Sequence, residues 1–361
     1  MRFKYHTNWH SSYLGEIVDY CGGGTPSTKN KSYWNGNIPW ISSSDLYEDD
    51  IYKINKTRFI TEQAIQNSAT KLCPKESICI VSRVGVGKVA VTQQELCTSQ
   101  DFFNIIKCNI NKYFFAYQIQ QKIKIAQQQG TSIKGITSKE IQNFKIWIPS
   151  ENEQDKISFF LKLIDKRIQT QIKIISDYKT LKKGINYFLI GRYTPNTFIS
   201  ECLKCNTSSL KESEIIDENL GMFPVYGANG IIKNINTYMM DSSSISIVKD
   251  GAGAGRLNYL SGKYSFIGTL NCFTIKKGYN LKYIYYALEN INFNRYIVGS
   301  GIPHVYYNDF KQEKIYIPAD TKEIDKIEKC LSSIDSVIEL ETKKLSKLTL
   351  QKKYLINNMF I

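Results

Sequence analysis

A chain of 361 residues exceeds one ordinary globular core and calls for two or more domains, which excludes a mini-protein stapled by disulfides. Lys and Arg number 47 against 33 Asp and Glu, a net charge of +14. That balance favours an anionic partner, although a sequence crowded with Lys, Ile, Asn and Tyr also bears the mark of low-GC coding. A hydrophobic fraction of 42% with 12% aromatics excludes a disordered chain.

No apolar run approaches the roughly 20 residues of a membrane span, so no membrane partner is expected. Met1 to His10 lacks the apolar stretch of a secretion signal, and a cytoplasmic location is expected. The nine cysteines are scattered along the chain and fit free thiols in a reducing compartment.

Residues 1–150 mix short alternating apolar stretches with Gly, Asn and Ser turns. Ser77-Ile78-Cys79-Ile80-Val81 reads as a strand that runs into the glycine turn Arg83-Val84-Gly85-Val86-Gly87-Lys88. A helix is predicted from Tyr113 to Gln127. Lys145-Ile146-Trp147-Ile148-Pro149 closes the segment, and a heptad pattern follows. Residues 191–318 repeat this plan. The strand Ser244-Ile245-Ser246-Ile247-Val248 runs into Lys249-Asp250-Gly251-Ala252-Gly253-Ala254-Gly255-Arg256, and a helix is predicted from Leu281 to Asn294.

The resemblance between the halves is an internal repeat. Gly130-Thr131-Ser132-Ile133 returns as Gly299-Ser300-Gly301-Ile302, and Lys145 to Pro149 returns as Lys314-Ile315-Tyr316-Ile317-Pro318, both at an offset of 169. Asp155-Lys156-Ile157 returns as Asp325-Lys326-Ile327 at 170. The first heptad seam is Ile157, Leu161, Ile164, Ile168, Ile175, Tyr178, Ile185 and Leu189. The second is Ile327, Leu331, Ile334, Ile338, Leu345, Leu348, Leu355 and Met359 in the same register. The seam turns polar at Gln171 and Lys182 in the first copy and at Glu341 and Lys352 in the second. Each helix is roughly 35 residues, about 50 Å long, and the economical arrangement pairs the two antiparallel.

The predicted fold is therefore α+β, with two globular domains separated by a pair of long antiparallel coiled-coil helices. The expected boundaries are 1–150 for the first domain, 151–190 for the central helix, 191–318 for the second domain and 319–361 for the C-terminal helix.

Catalytic and metal signatures are thin. Gly87-Lys88 is followed by Val89, not the Ser or Thr of a P-loop, and Gly251 to Gly255 is GxGxG, not GxGxxG. Both runs read better as tight strand-to-strand turns. His6, His10 and His304 have no zinc spacing, and Cys202-Leu203-Lys204-Cys205 has no second ligand pair nearby. No GxSxG, HExxH or DxDxDG run is present. The chain gives no reason to expect an enzyme or a metal site.

The first domain carries Leu14-Gly15-Glu16-Ile17, then Gly22-Gly23-Gly24-Thr25-Pro26-Ser27, then Ile38-Pro39-Trp40-Ile41-Ser42; the second carries Phe223-Pro224-Val225-Tyr226-Gly227-Ala228-Asn229-Gly230. In this order, and with Ile-Pro leading into paired coils that end in Lys182-Lys183-Gly184 and Lys352-Lys353, the chain resembles the DNA-specificity subunit of type I restriction-modification systems over essentially its whole length.

That resemblance implies a non-catalytic reader of a bipartite, asymmetric double-stranded DNA target, with each target recognition domain on one half-site. It implies coils that fix the gap and bind two methyltransferase subunits. No cofactor belongs to the chain itself, S-adenosylmethionine being carried by the methyltransferase, and motor-nuclease restriction subunits are able to join. Nothing in the chain matches the methyltransferase's own NPPY-type or DPPF-type runs.

DNA contact is expected from Thr25, Ser27, Tyr226 and Asn229 in the loops, and Lys29, Arg83, Lys88, Lys249 and Arg256 are the phosphate candidates. Partner and coil contact is expected along Ile157, Leu161, Ile164, Ile168, Ile175, Ile327, Leu331, Ile334, Ile338 and Leu345. The competing reading is a coiled-coil interaction or scaffold protein with no sequence-specific DNA binding.

Overall fold

The computed structural model describes residues 9–129, 135–215 and 221–360. His6 and the repeat element Gly130–Ile133 lie outside them. The chain divides into two compact units, one made of Met1–Ile172 with Lys344–Ile361 and the other of Lys173–Lys343. Four longer helices matter for the argument: α1 (Lys112–Gln129), α2 (Glu151–Asn186), α3 (Leu281–Leu288) and α4 (Thr321–Met359). No helix among the described residues is long and apolar enough to cross a membrane.

The first unit is built on two four-stranded sheets. One runs Val18–Gly22, Phe102–Cys108, Ile78–Val81, Val89–Val91 in spatial order, all antiparallel. The other runs Arg58–Ile60, Ile38–Ile41, Leu96–Thr98, Leu72–Cys73 and contains one parallel pairing, Cys97 beside Trp40. A two-stranded ribbon, His10–Tyr13 with Lys145–Ile148, joins the start of the unit to the strand that leads into α2. Every residue of Ile78–Val81 is buried, which is why that strand reads as a continuous apolar run.

The second unit repeats the plan. Leu203–Thr207, Leu270–Ile275, Ser244–Val248 and Leu257–Leu260 form the matching antiparallel sheet, and Thr197–Phe198 with Lys314–Ile315 forms the matching ribbon. Its other layer has three strands, Gly230–Ile235, Phe223–Gly227 and Ser265–Phe266, and keeps one parallel pairing, Val225 beside Ser265. The shared topology supports descent of the two globular segments from one duplicated element. Divergence is concentrated in the second layer.

Both domain helices start on the same device at repeat-equivalent positions. The Asn111 side chain accepts from the Tyr113 and Phe114 amides at 3.1 Å, and the Asn280 side chain accepts from the Tyr283 amide at 3.0 Å. Helix α3 stops at Leu288, short of the predicted Asn294. The Asn292 side chain takes the Asn294 amide at 3.2 Å and opens a 3-10 turn, Phe293–Tyr296, so local side-chain bonding competes successfully with helix continuation.

The heptad positions from Ile157 to Leu189, along α2 and the turn that follows it, are buried or half-buried, and the positions from Ile327 to Met359 of α4 behave alike. In the first unit, Ile157 and Leu161 join the core that holds Ile356, Met359 and Phe360. In the second, Ile327 and Leu331 join the core that holds Ile190, with Ile185 and Leu189 packed against it. Each fully buried aliphatic contributes about 1.5–3 kcal/mol. Within each unit the α2 and α4 segments run antiparallel. In the first, α1 brings Asn111 to Gln154 and Phe114 to Phe360, while further on Tyr117 meets Asp165 and Lys352.

Candidate nucleic-acid interface

The polar seam residues Lys182 and Lys352 prove to be members of one duplicated interlock. In the first unit Lys352 Nζ of α4 lies 2.6 Å from Asp165 Oδ1 of α2, with side chains only 9% and 10% exposed. The Tyr117 hydroxyl of α1 donates to the other Asp165 oxygen, and Lys352 also donates to the Asp49 carbonyl at 3.1 Å. In the second unit the helices exchange roles. Lys182 Nζ of α2 lies 2.8 Å from Asp335 Oδ1 of α4, and the Tyr286 hydroxyl of α3 donates to Asp335 Oδ2 at 2.7 Å.

Lys182 also pairs with Glu289 at 3.0 Å, and Asn186 donates to the same carboxylate at 3.2 Å. Burial, with Asp165 adding to it, pushes the Tyr117 phenol far above its ordinary range. Burial raises the Asp165 carboxyl as well, and the Lys352 cation only partly offsets that. Each interlock ties a domain helix to both coil segments of its own unit.

Both glycine runs are hairpin turns, joining Ile78–Val81 to Val89–Val91 and Ser244–Val248 to Leu257–Leu260. Gly85, Gly87, Gly251 and Gly255 all have φ between 80° and 102°, a region that side chains disfavour, so glycine serves the chain reversal there. The two turns are anchored alike. Ser82 N–H donates to the Asp101 carbonyl and Lys249 N–H to that of Thr269, both at 2.8 Å. Ile136 N–H then donates to the Ser82 carbonyl at 2.7 Å, and Val305 N–H to that of Lys249 at 2.9 Å.

In the first unit Thr25, Ser27 and Lys29 are exposed on the loop before Lys31–Trp34. The glycines ahead of them pack tightly: a Cβ on Gly23 would meet the Ser99 carbonyl oxygen at 2.1 Å, and one on Gly24 the Ala69 backbone at 2.5 Å. The Trp40 indole donates to the Gly24 carbonyl at 2.9 Å, so two of the sequence motifs touch. Arg58 lies 4.6 Å over the Trp40 ring and bonds Ser42 Oγ at 2.7 Å and the Asp45 carboxylate.

Lys88 Nζ donates to the Ser43 carbonyl at 3.0 Å, which joins this loop cluster to the glycine turn. Lys88 is thus half-buried and committed to the protein, while Arg83 is exposed. No spacing in the sequence marks Arg58; only the fold brings it to Ser42 and Asp45.

In the second unit the Arg256 guanidinium donates to the Ala228 carbonyl, which brings the glycine turn against the Tyr226–Gly230 hairpin. Asn229 is exposed, and Tyr226 packs edge-on against Tyr264 with centroids 5.6 Å apart. Lys249 lies 3.4 Å from Asp250, whose other oxygen is 2.8 Å from His304 Nδ1. Arg256 therefore borders the Tyr226–Gly230 hairpin, while Lys249 and Asp250 lie on the same glycine turn as Arg256 and His304 reaches that turn through Asp250.

His304 was legible only as a lone histidine. The signal that pointed to it was the repeat itself, since Gly299–Ile302 precedes it with only Pro303 between.

Cys202 ends a one-turn helix, Cys205 sits in the following strand, and burial pushes both thiols up to about 11, so they stay protonated at neutral pH. Among the described residues no group of three or more His, Cys, Asp or Glu is placed to hold a metal.

The model of the type I restriction modification DNA specificity domain matches residues 6–176 and again 197–350, close to the two halves of the repeat. The chain belongs to this family. The MjaIX specificity subunit of Methanocaldococcus jannaschii is 35% identical over 179 residues, 47% of this chain and 41% of that relative. The EcoprrI specificity subunit of Escherichia coli is 21% identical over 366 residues, covering 91% of this chain and 90% of its own.

The chain thus spans about two fifths of the first relative and nearly all of the second. A crystal structure of a type I restriction-modification S subunit from M. genitalium superposes with a TM-score of 0.60 at 16% identity, over 100% of this chain and 98% of that one. The fold is the one that family member adopts, and the family's specificity domain occurs twice here.

Proposed function

We propose that the chain is the sequence-reading subunit of a type I restriction-modification assembly and performs no chemistry itself. Residues 1–150 and 191–318 are assigned as recognition domains, one for each half of an asymmetric bipartite site. Residues 151–190 and 319–361 are assigned as the spacer that sets the gap and receives two methyltransferase subunits. Those partners would bring S-adenosylmethionine and modify adenine, with motor-nuclease subunits able to join. Such a reader works on chromosomal DNA, which assigns it to the cytoplasm.

The observation that carries this reading is the pairing of like scaffold with unlike surface. The two units share sheet order, helix caps and interlocks, yet present different loops, Thr25–Lys29 with Arg58 in one and Tyr226–Asn229 with Arg256 and His304 in the other. Like scaffolds hold two readers in equivalent poses, and unlike loops read unlike letters. The net charge of +14 supplies phosphate attraction.

The test is duplex binding by the complex of this chain with its cognate type I methyltransferase. Affinity should fall steeply and linearly with log salt, and one bipartite sequence should be preferred. Equal affinity for all duplexes at every salt concentration would leave the scaffold reading in its place.

A further inference from the structure

The hairpin Val298–His304 is an exposed projection of the second unit that is anchored at its base. Its ends pair through Val298 and His304, with bonds of 2.9 and 2.8 Å in the two directions. Its base is tied to the glycine turn three times: Gly251 N–H donates to the Pro303 carbonyl at 2.9 Å, Val305 N–H to the Lys249 carbonyl at 2.9 Å, and His304 Nδ1 meets Asp250 Oδ1 at 2.8 Å.

Its tip, Gly299-Ser300-Gly301-Ile302, is exposed and turns on Gly299, whose φ is 93° and whose added Cβ would meet the Ile302 carbonyl oxygen at 2.5 Å. The first unit keeps the same anchor at Ile136 and Ser82. An exposed tip held to a duplicated base, on the glycine turn that also carries Arg256, has the form of a reading element and not of a passive connection.

Within it His304 has a fixed orientation. The Asp250 carboxylate can only accept, so it holds the proton on Nδ1 and leaves Nε2 an acceptor in the neutral ring. The ring lies nearly parallel to Tyr306, centroids 6.0 Å apart, and is one third exposed. Among the described residues Nε2 has no hydrogen-bond partner.

We propose that His304 is a specificity-determining residue of the second recognition domain. Its Nε2 accepts from the exocyclic amino group of an adenine or a cytosine, and Asp250 acts as its positioning residue. This rests on the DNA-reading function proposed above. An amino donor is the complement of a neutral imidazole acceptor on a major-groove edge, where adenine N6 and cytosine N4 are the available donors.

The experiment is in vitro methylation by the assembled complex on a duplex library with both half-sites randomised, with preference read as a ratio between bases at each position. A ratio is insensitive to the fraction of folded enzyme. His304→Ala should lower discrimination about tenfold at one position of one half-site, at a position where the wild-type complex prefers A or C on one strand. Asp250→Asn should weaken the same position by a smaller factor, and His304→Gln, which retains an acceptor, should recover part of it.

The other half-site and the gap should not change. Unaltered ratios in His304→Ala, or losses spread over both half-sites, overturn the assignment of His304. A wild-type complex with no preferred sequence overturns the reading function itself, and the assignment with it.

Discussion

Replacing Lys352 by Met strands the Asp165 carboxylate in a site where that side chain is 10% exposed. Its remaining partner is the Tyr117 hydroxyl, and the Asp49 carbonyl loses its bond from Nζ. Removing one member of a buried ion pair costs about 3–5 kcal/mol, because the other charge stays desolvated. For a unit of this size that corresponds to a fall of about 10 °C in melting temperature.

Burial already raises the Asp165 pKa, so protonation relieves the stranded charge. The deficit should therefore shrink as pH falls towards 4 and grow as pH rises through the folded pKa. The four tryptophans, Trp9, Trp34, Trp40 and Trp147, all belong to the first unit, so tryptophan fluorescence follows that unit's melting selectively. Lys182→Met leaves two carboxylates that are less buried, 30% exposed at Asp335 and 27% at Glu289. Its cost should be smaller, about 1–3 kcal/mol, and should appear in calorimetry more than in the tryptophan signal.

A Lys352→Met/Asp165→Leu double variant removes the stranded charge and should regain most of the loss. Wild-type melting of Lys352→Met, or a double variant no better than the single one, would refute the reasoning.

Asn111→Ala and Asn280→Ala each remove a helix cap and should destabilise their own unit by about 1 kcal/mol, measured by urea unfolding. Gly255→Ala forces a side chain into φ 86° with its Cβ 2.9 Å from Phe293 Cβ, so it should destabilise the second unit by about 1–2 kcal/mol while leaving tryptophan melting unchanged. Burial holds the phenols of Tyr117, Tyr264, Tyr283 and Tyr286 above their ordinary range. The folded chain thus keeps protons that the unfolded chain loses above about pH 10, and stability is full below that pH and falls as pH rises beyond it. Tyrosinate absorbance from these rings should appear together with unfolding and not before it. Lys29→Ala should weaken DNA binding alike for all sequences and reduce the salt slope by about 1; a change in preferred letters would contradict its assignment to phosphate.

The helical half of the fold was legible because a 3.5-residue period and an internal repeat are both written along the chain. Ile157 to Leu189 and Ile327 to Met359 show the seam without reference to anything distant. The reason for Lys182 and Lys352 in that seam was not legible, since each answers a carboxylate on the other long helix and a tyrosine from a globular segment. The repeat contained the clue, because Tyr117 with Tyr286 and Asp165 with Asp335 occupy equivalent positions.

The loop surfaces were legible only in part. Thr25-Pro26-Ser27 and Tyr226 to Asn229 announce themselves through turn-forming residues. Arg58 and His304 acquire meaning from tertiary bonds to Asp45 and Asp250, and nothing local to either residue records those bonds.

The central claim is that this chain gives a methyltransferase its sequence. Long-read methylome sequencing of a host carrying the chain and its cognate type I methyltransferase, against the same host lacking only this chain, tests it most directly. The account expects one bipartite methyladenine motif with unlike halves to vanish with the chain. A methylome in which every motif persists without the chain would contradict it.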